Sequence, residues 1–528
     1  MFSTPFERVH KRKRIEELEK QTVALQRELQ SITPSQPLPC IDPAATKRTT
    51  QSRTINGIEV TATIIDDCFI RYHQKFHPQL PVLDSSMSAD KLYERSTLLF
   101  WVVLSLGSRG YEKHPTLVQS LSPLVTSQVM VSMNPKVIPI DLVKALILFL
   151  TWPFPSNTFH RTSQFALGGT IIHMAMQCGL HTAHLDGTSG LGLEGTKLWA
   201  YAVIVYQRIC TNSGQPALMS LEAYNEQPRF KDALAELAPT LQLQFKLSSI
   251  IIRAQKAFVA LNLQTMTLQD EHALDLVLER LNSQIDRIES GLISSSDLIY
   301  IAVARHEVTA MHFFKSPETS NVKSCQSIFS SATRLLELVL DQETPCAPSD
   351  ACPCFVTLAI LMGGSHILRL VRGSLLTLED QEYGAGLYLK LVEFLKSCSV
   401  QKGDSGDRGG TLAEKLWQND RIFRDADGSI DIALRVRNKF ASSPMADLVL
   451  RGEETEAATV VASSRSTALL QDSTTSFTFD DTASSASALA DGTFSADTNA
   501  FPIEGFWGDL DLDMNNSWGI FEPIAETS

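Results

Sequence analysis

The chain has 528 residues, 44% of them hydrophobic, and a formal charge of −13. That is enough apolar material for one large or two ordinary domains, and it excludes a chain disordered throughout. The charge is uneven: residues 1–53 hold ten basic and six acidic side chains and residues 446–528 hold two and fifteen, so a body of net −4 separates a basic arm from an acidic tail. Two ends of opposite sign suggest two different partners. Nine cysteines, an odd number scattered along the chain, point to a reducing compartment and free thiols. Met1 is followed by no apolar signal region, and the apolar runs 98–107 and 145–152 are far shorter than the roughly 20 residues of a membrane span. We read these runs as buried helices and expect no membrane partner.

The first element is basic and then heptad-patterned. Arg8, Lys11, Arg12, Lys13 and Arg14 form a patch suited to phosphate contact or nuclear import. Behind it Ile15, Leu18, Thr22, Leu25, Leu29 and Ile32 recur at steps of three and four, a seam with one polar position at Thr22. With Ile15 at position a, Arg14 at g and Glu19 at e attract each other across a parallel dimer. The alternative is a single amphipathic helix packed on the body. Residues 1–33 therefore read as basic patch and short coiled coil, joining homo- or heterodimers, and residues 34–54, with Pro34, Pro37, Pro39 and Pro43, as a linker.

Residues 55–445 form the body. Segments of helical length run over 64–75, 91–105, 117–132, 140–150, 164–178, 195–210, 242–263, 271–290, 298–314, 327–341, 354–370 and 387–397, and alternating β-type runs are nearly absent. The fold class is all-α. Residues 401–410, QKGDSGDRGG, read as a flexible loop. Residues 446–528 read as a disordered acidic and aromatic tail, with no Lys or Arg after Arg465. There Phe506, Trp507, Leu510, Trp518 and Phe521 lie among carboxylates, the pattern of a transcriptional activation segment that docks in a groove of the transcription machinery. The alternative for the tail is a solubilising segment.

Three tracts in order, FIRYHQKFHPQLPVLD (69–84), WPFPSNTFHRTSQFALGGTIIHMAMQCGLH (152–181) and KLWAYAVIVYQR (197–208), resemble the fungal binuclear zinc-cluster transcription factors. The resemblance extends over the coil and most of the helical regulatory domain, and implies a nuclear regulator of transcription, an activator of a metabolic or secondary-metabolite gene set, with a possible small-molecule effector. Members of that family read DNA through six cysteines holding two zinc ions, whereas here no cysteine precedes Cys40. We therefore expect no cofactor in this chain, and zinc only with an upstream zinc-cluster exon. The basic patch can touch phosphate but carries no base code. The alternative function is an interaction protein without its own DNA reader, pairing with a zinc-cluster factor as coactivator or inhibitor.

Three constellations resemble chemical sites. GLGLEG (190–195) has dinucleotide-fingerprint spacing but follows no strand. Of His173, Cys178, His181 and His184, the first two fall on different helical faces and the GLH end resembles a packing motif of the family, so the group reads as packing residues, not as a metal site. Cys346, Cys352 and Cys354 read as loop thiols, with oxidant sensing or soft-metal binding as the second reading. No nucleophile elbow, phosphate loop or H-E-x-x-H stretch occurs, so no enzyme is expected.

Overall fold

A computed structural model describes residues 50–472, apart from the short stretches 156–160, 186–190, 218–221, 262–265, 292–293, 295–296, 317–321, 342–348, 374 and 426. The described part opens with a two-stranded hairpin, β1 (Arg53–Ile55) and β2 (Ile58–Val60), and is otherwise helical. Its first half contains α1 (Ala62–Lys75), α2 (Ala89–Arg95), α3 (Thr97–Gly107), α4 (Leu117–Val131), α5 (Ile140–Thr151), α6 (Arg161–Gln177) and α7 (Gly192–Asn212). Then come α8 (Glu222–Asn225), α9 (Pro228–Ala235), α10 (Pro239–Ala260), α11 (Leu268–Glu289) and α12 (Leu298–Thr309). The last group is α13 (Val322–Leu340), α14 (Cys354–Arg372), α15 (Leu378–Ser397), α16 (Ser405–Gln418) and α17 (Ser443–Asp472). The all-α expectation is met.

Local chemistry accounts for the places where the elements depart from the sequence reading. The hairpin turns on Asn56 and Gly57, both with positive φ (44° and 84°), the two-residue turn that Asn-Gly favours because its twist matches that of the strands. The segment 91–105 is two helices instead of one: Ser96 adopts extended backbone and its Oγ accepts from Leu99 N at 3.3 Å, ending α2 and capping α3. The loop expected over 401–410 is largely the first turns of α16. Asp404 caps it by accepting from Gly406 N and Asp407 N, both at 3.0 Å, and a Cβ at Gly406 would meet Ser399 N at 2.7 Å, so its glycine permits close approach to the end of α15. The body also continues past 445, because α17 starts at Ser443 and Asp447, Leu448, Val449 and Arg451 are buried. Burial there is continuous over 441–449, which composition averaged over the tail concealed.

Packing proceeds through three apolar clusters. The first gathers α1 to α7, α9 and the start of α10 around the fully buried Trp101, Trp152 and Trp199. The second joins α13 to α17, and the third joins α10 to α12. Helices α10 and α12 contribute side chains to two clusters each, so they tie the layers together. The apolar runs 98–107 and 145–152 are buried as expected. Helix α14 is long and apolar enough to cross a membrane, yet 78% of its most apolar window is covered by the body, as befits a central core helix. Helices α1 and α3 cross in backbone contact: a Cβ at Gly107 would stand 2.0 Å from Cys68 O.

Candidate functional site

The tracts 69–84 and 152–181 meet at one corner. Phe76, at the end of α1, sets its ring edge-on against Trp152 with centroids 5.3 Å apart. Trp152 Nε1 then donates to Ala351 O at 2.9 Å, and Gln79 Nε2 donates to the same oxygen at 3.2 Å. Asp350 is held by Arg71 at 3.3 Å and by Lys75. Arg71 also donates to the carbonyls of Gly107, Arg109 and Gly110, so the first half of the body grips the turn that precedes α14.

The third tract is α7, whose inner face is polar where it meets α10. Gln207 donates to Thr211 Oγ1 at 2.7 Å, Gln255 donates to the same hydroxyl at 2.9 Å, and Ser248 donates to Gln207 Oε1 at 3.1 Å. Each amide and hydroxyl is satisfied, which fixes the α7–α10 register in a way that apolar contacts alone do not.

Beside this ladder lies an unbalanced charge. Arg208 Nη2 donates to Gln244 Oε1 at 2.8 Å, and its guanidinium carbon lies 3.6 Å from the Phe355 ring centre and 5.4 Å from that of Tyr300. The two rings are nearly parallel, with centroids 6.1 Å apart. Burial lowers the Arg208 pKa to about 10. Glu307, on α12, faces the same region; burial pushes its carboxyl up to about 8, with Arg208 pulling in the opposite direction. Burial thus works against the charged form of Glu307, and Arg208 has no carboxylate at ion-pair distance among the described residues. A guanidinium set on two aromatic faces has the chemistry that pairs with a carboxylate or phosphate.

The preceding residue, His306, belongs to a second buried pair. Its Nε2 lies 2.8 Å from His366 Nδ1 and its Nδ1 lies 3.1 Å from Ser331 Oγ. Burial lowers the His306 pKa to about 4 and holds His366 well below the ordinary range, so both rings are neutral. Deeper still, Asp447 accepts from Arg369 at 2.5 Å and from Arg451 at 2.8 Å, joining α17 to α14.

The residues singled out from sequence fall differently. The basic patch (Arg8 to Arg14), the seam (Ile15 to Ile32) and the tail aromatics (Phe506 to Phe521) lie outside the described residues. His173 Nδ1 lies 2.9 Å from Gly169 O, Cys178 donates to Ile138 O, His181 packs edge-on against Tyr224, and His184 Nε2 lies 3.2 Å from Gln227 Oε1. These are separate packing roles, and no group of three metal-capable side chains occurs among the described residues. Gly195 of GLGLEG sits where a Cβ would come 2.5 Å from Ala183 Cβ, a close-packing glycine in the first turn of α7. Arg208 and Glu307 were missed. Their signal in the sequence is a charge inside each of two mostly apolar stretches, Arg208 in YAVIVYQRICT and Glu307, with Arg305, in IAVARHEVTA.

The chain is similar to known regulators of fungal transcription. It is 22% identical over 420 residues, 69% of this chain and 47% of the relative, to "Regulatory protein LEU3" of Saccharomyces cerevisiae. Over 123 residues, 23% of this chain, it is 31% identical to "Transcriptional regulatory protein SEF1" of Candida albicans and 29% identical to "Putative transcription factor SEF1" of Kluyveromyces lactis. The chain spans about half the length of the first of these relatives, and 13% and 10% of the other two. No family model matches, and no solved structure matches. The homologues are transcription regulators, in accord with the absence of an enzyme signature in the sequence.

Proposed function

We propose that this protein is a nuclear transcription regulator, an activator, whose helical body is controlled by a small organic anion held at Arg208. The similarity to fungal regulators over 420 residues carries the class of function. The guanidinium at Arg208, set on Phe355 and Tyr300 with no carboxylate partner among the described residues, supports the effector. Such a ligand shifts an equilibrium only if it binds two states differently. Its site offers a reason, since α7, α10, α12 and α14 come from all three apolar clusters and a bound anion would favour the arrangement that closes them around it. The coil would make the dimer, and the acidic aromatic tail would engage the transcription machinery.

The test is a reporter driven by the full chain fused to a heterologous DNA-binding module. Deleting 55–445 should alter the ratio of induced to basal output, and Arg208→Ala should abolish the response to a metabolite extract while leaving basal output. Unchanged output in both variants, basal and induced, would refute the reading.

A further inference from the structure

Beside the Trp152 corner is a cleft with a cavity volume of about 80 Å³, lined among others by Arg109, Trp152, Cys352, Cys354, Thr357 and Cys398. Cys352 closes the turn that Trp152, Gln79, Arg71 and Lys75 clamp, and Cys398 caps the far end of α15. The two are reduced thiols although 46 positions separate them in the chain. Both residues line this cleft, and the Cys352 thiol donates to Pro353 O at 3.8 Å. Thr357 Oγ1 donates to Cys352 Sγ at 3.5 Å. Arg109 faces the same sulfurs, and its buried Nε has no hydrogen-bond partner. The cluster thus has a held thiol, a second thiol in reach, a cation, and an opening for a small reagent. Cys346 lies outside the described residues, so the pair that the fold assembles differs from the CAPSDACPC trio suggested by proximity in sequence.

We propose that Cys352 and Cys398 are a thiol oxidation site whose substrate class is hydroperoxide and whose product is a reversible disulfide. Cys352 Sγ, as thiolate, attacks the distal peroxide oxygen. The O–O bond breaks, the leaving oxygen takes a proton to depart as water or an alcohol, and Cys352 becomes a sulfenic acid. Cys398 Sγ then loses its proton and attacks that sulfur. The S–O bond breaks, and the hydroxide leaves with that proton as water. The two thiols lose two electrons and two protons in all, and the peroxide gains them. A dithiol reductant reverses the reaction by exchange. The neighbouring Cys398 thiol, donation from Thr357 and the charge of Arg109 hold the Cys352 thiol below the ordinary range, whereas the neighbouring Cys352 and burial raise Cys398. Attacking and resolving roles are thereby assigned. The bond would tie the clamped turn to the end of α15, a link absent in the reduced state.

The experiment uses the purified, fully reduced 528-residue chain, exposed to hydrogen peroxide and mapped by non-reducing peptide mass spectrometry. The expected product is a Cys352–Cys398 bridge with loss of two thiols per chain, restored by dithiothreitol. Cys398→Ser should stop the reaction at a Cys352 sulfenic acid that a cyclic 1,3-dione captures. Arg109→Met should slow bridging roughly threefold to tenfold, with Arg109→Lys restoring it, because removing a neighbouring cation raises a thiol pKa by about one unit or more. A bridge from Cys352 to Cys354 or Cys346, or a Cys352 that stays a thiol under peroxide that consumes glutathione, would overturn the proposal. The wild-type map decides the matter alone if a variant fails to fold.

Discussion

Replacing Asp447 by Ala should be among the most destabilising single changes available in the body. Its carboxylate is fully buried and accepts from Arg369 at 2.5 Å, Arg451 Nε at 2.8 Å, Arg435 N at 2.7 Å and Val436 N at 3.2 Å. Truncation leaves two cations without their shared anion and two backbone donors without an acceptor. Breaking a buried pair from one side costs about 3–5 kcal/mol, and each orphaned donor roughly 1 more. Partial compensation is built in, since Arg369 also donates to Ile432 O and Pro444 O, and Arg451 to Asp431 O and Ala433 O. A net loss of about 4 kcal/mol follows, a large share of the roughly 5–15 kcal/mol that a folded chain has in hand. Urea denaturation followed by tryptophan fluorescence reads it. Asp447→Asn, which keeps an acceptor for the backbone, should lose less, and Lys396→Ala, from a pair exposed on both sides, should stay within about 0.5 kcal/mol. Burial alone would raise the Asp447 carboxyl, but Arg369 and Arg451 hold it below the usual carboxylate range. The stabilisation is therefore present above that range and lost as pH falls through it, and Asp447→Ala should lack that slope. A loss below about 1 kcal/mol for Asp447→Ala would refute this account of the network.

Three further outcomes are expected. Gly107→Ala places a methyl 2.0 Å from Cys68 O, so α1 and α3 must separate, at about 3 kcal/mol by the same denaturation assay. Glu307, with its pKa raised to about 8 by burial, contributes stability that is present below its unfolded pKa and lost as pH rises to 8. Glu307→Gln should recover about 2 kcal/mol at pH 8, after discounting for partial solvent access, and change little near pH 4.5. His306 runs the other way: with its pKa lowered to about 4, stability holds above pH 6.5 and falls by roughly 3 kcal/mol toward pH 4. His306→Gln should reduce the acid slope in thermal melts taken across the range, the remainder coming from His366 and His312, which burial also lowers.

The family likeness, the all-α class and most helix positions were legible in the sequence because they rest on local rules. Apolar residues at helical spacing mark α3, α5 and α14, and tracts such as WPFP and HPQLP are read by eye. Boundaries were less legible where one side chain decides them, as Ser96 does in breaking a long apolar segment and Asp404 in opening α16 inside a glycine-rich stretch that composition assigns to a loop. The candidate sites were not legible, and the reason is distance along the chain. Arg208 and Glu307 are 99 positions apart, Cys352 and Cys398 46, and Arg369 and Asp447 78. Composition and periodicity report which face of a helix is buried, but not which other helix it meets, nor whether a buried charge finds its counter-ion there. Packing of α7, α10, α12 and α14 decides that, and with it whether a buried charge meets a carboxylate, as Arg369 meets Asp447, or an amide and two aromatic rings, as Arg208 meets Gln244, Phe355 and Tyr300.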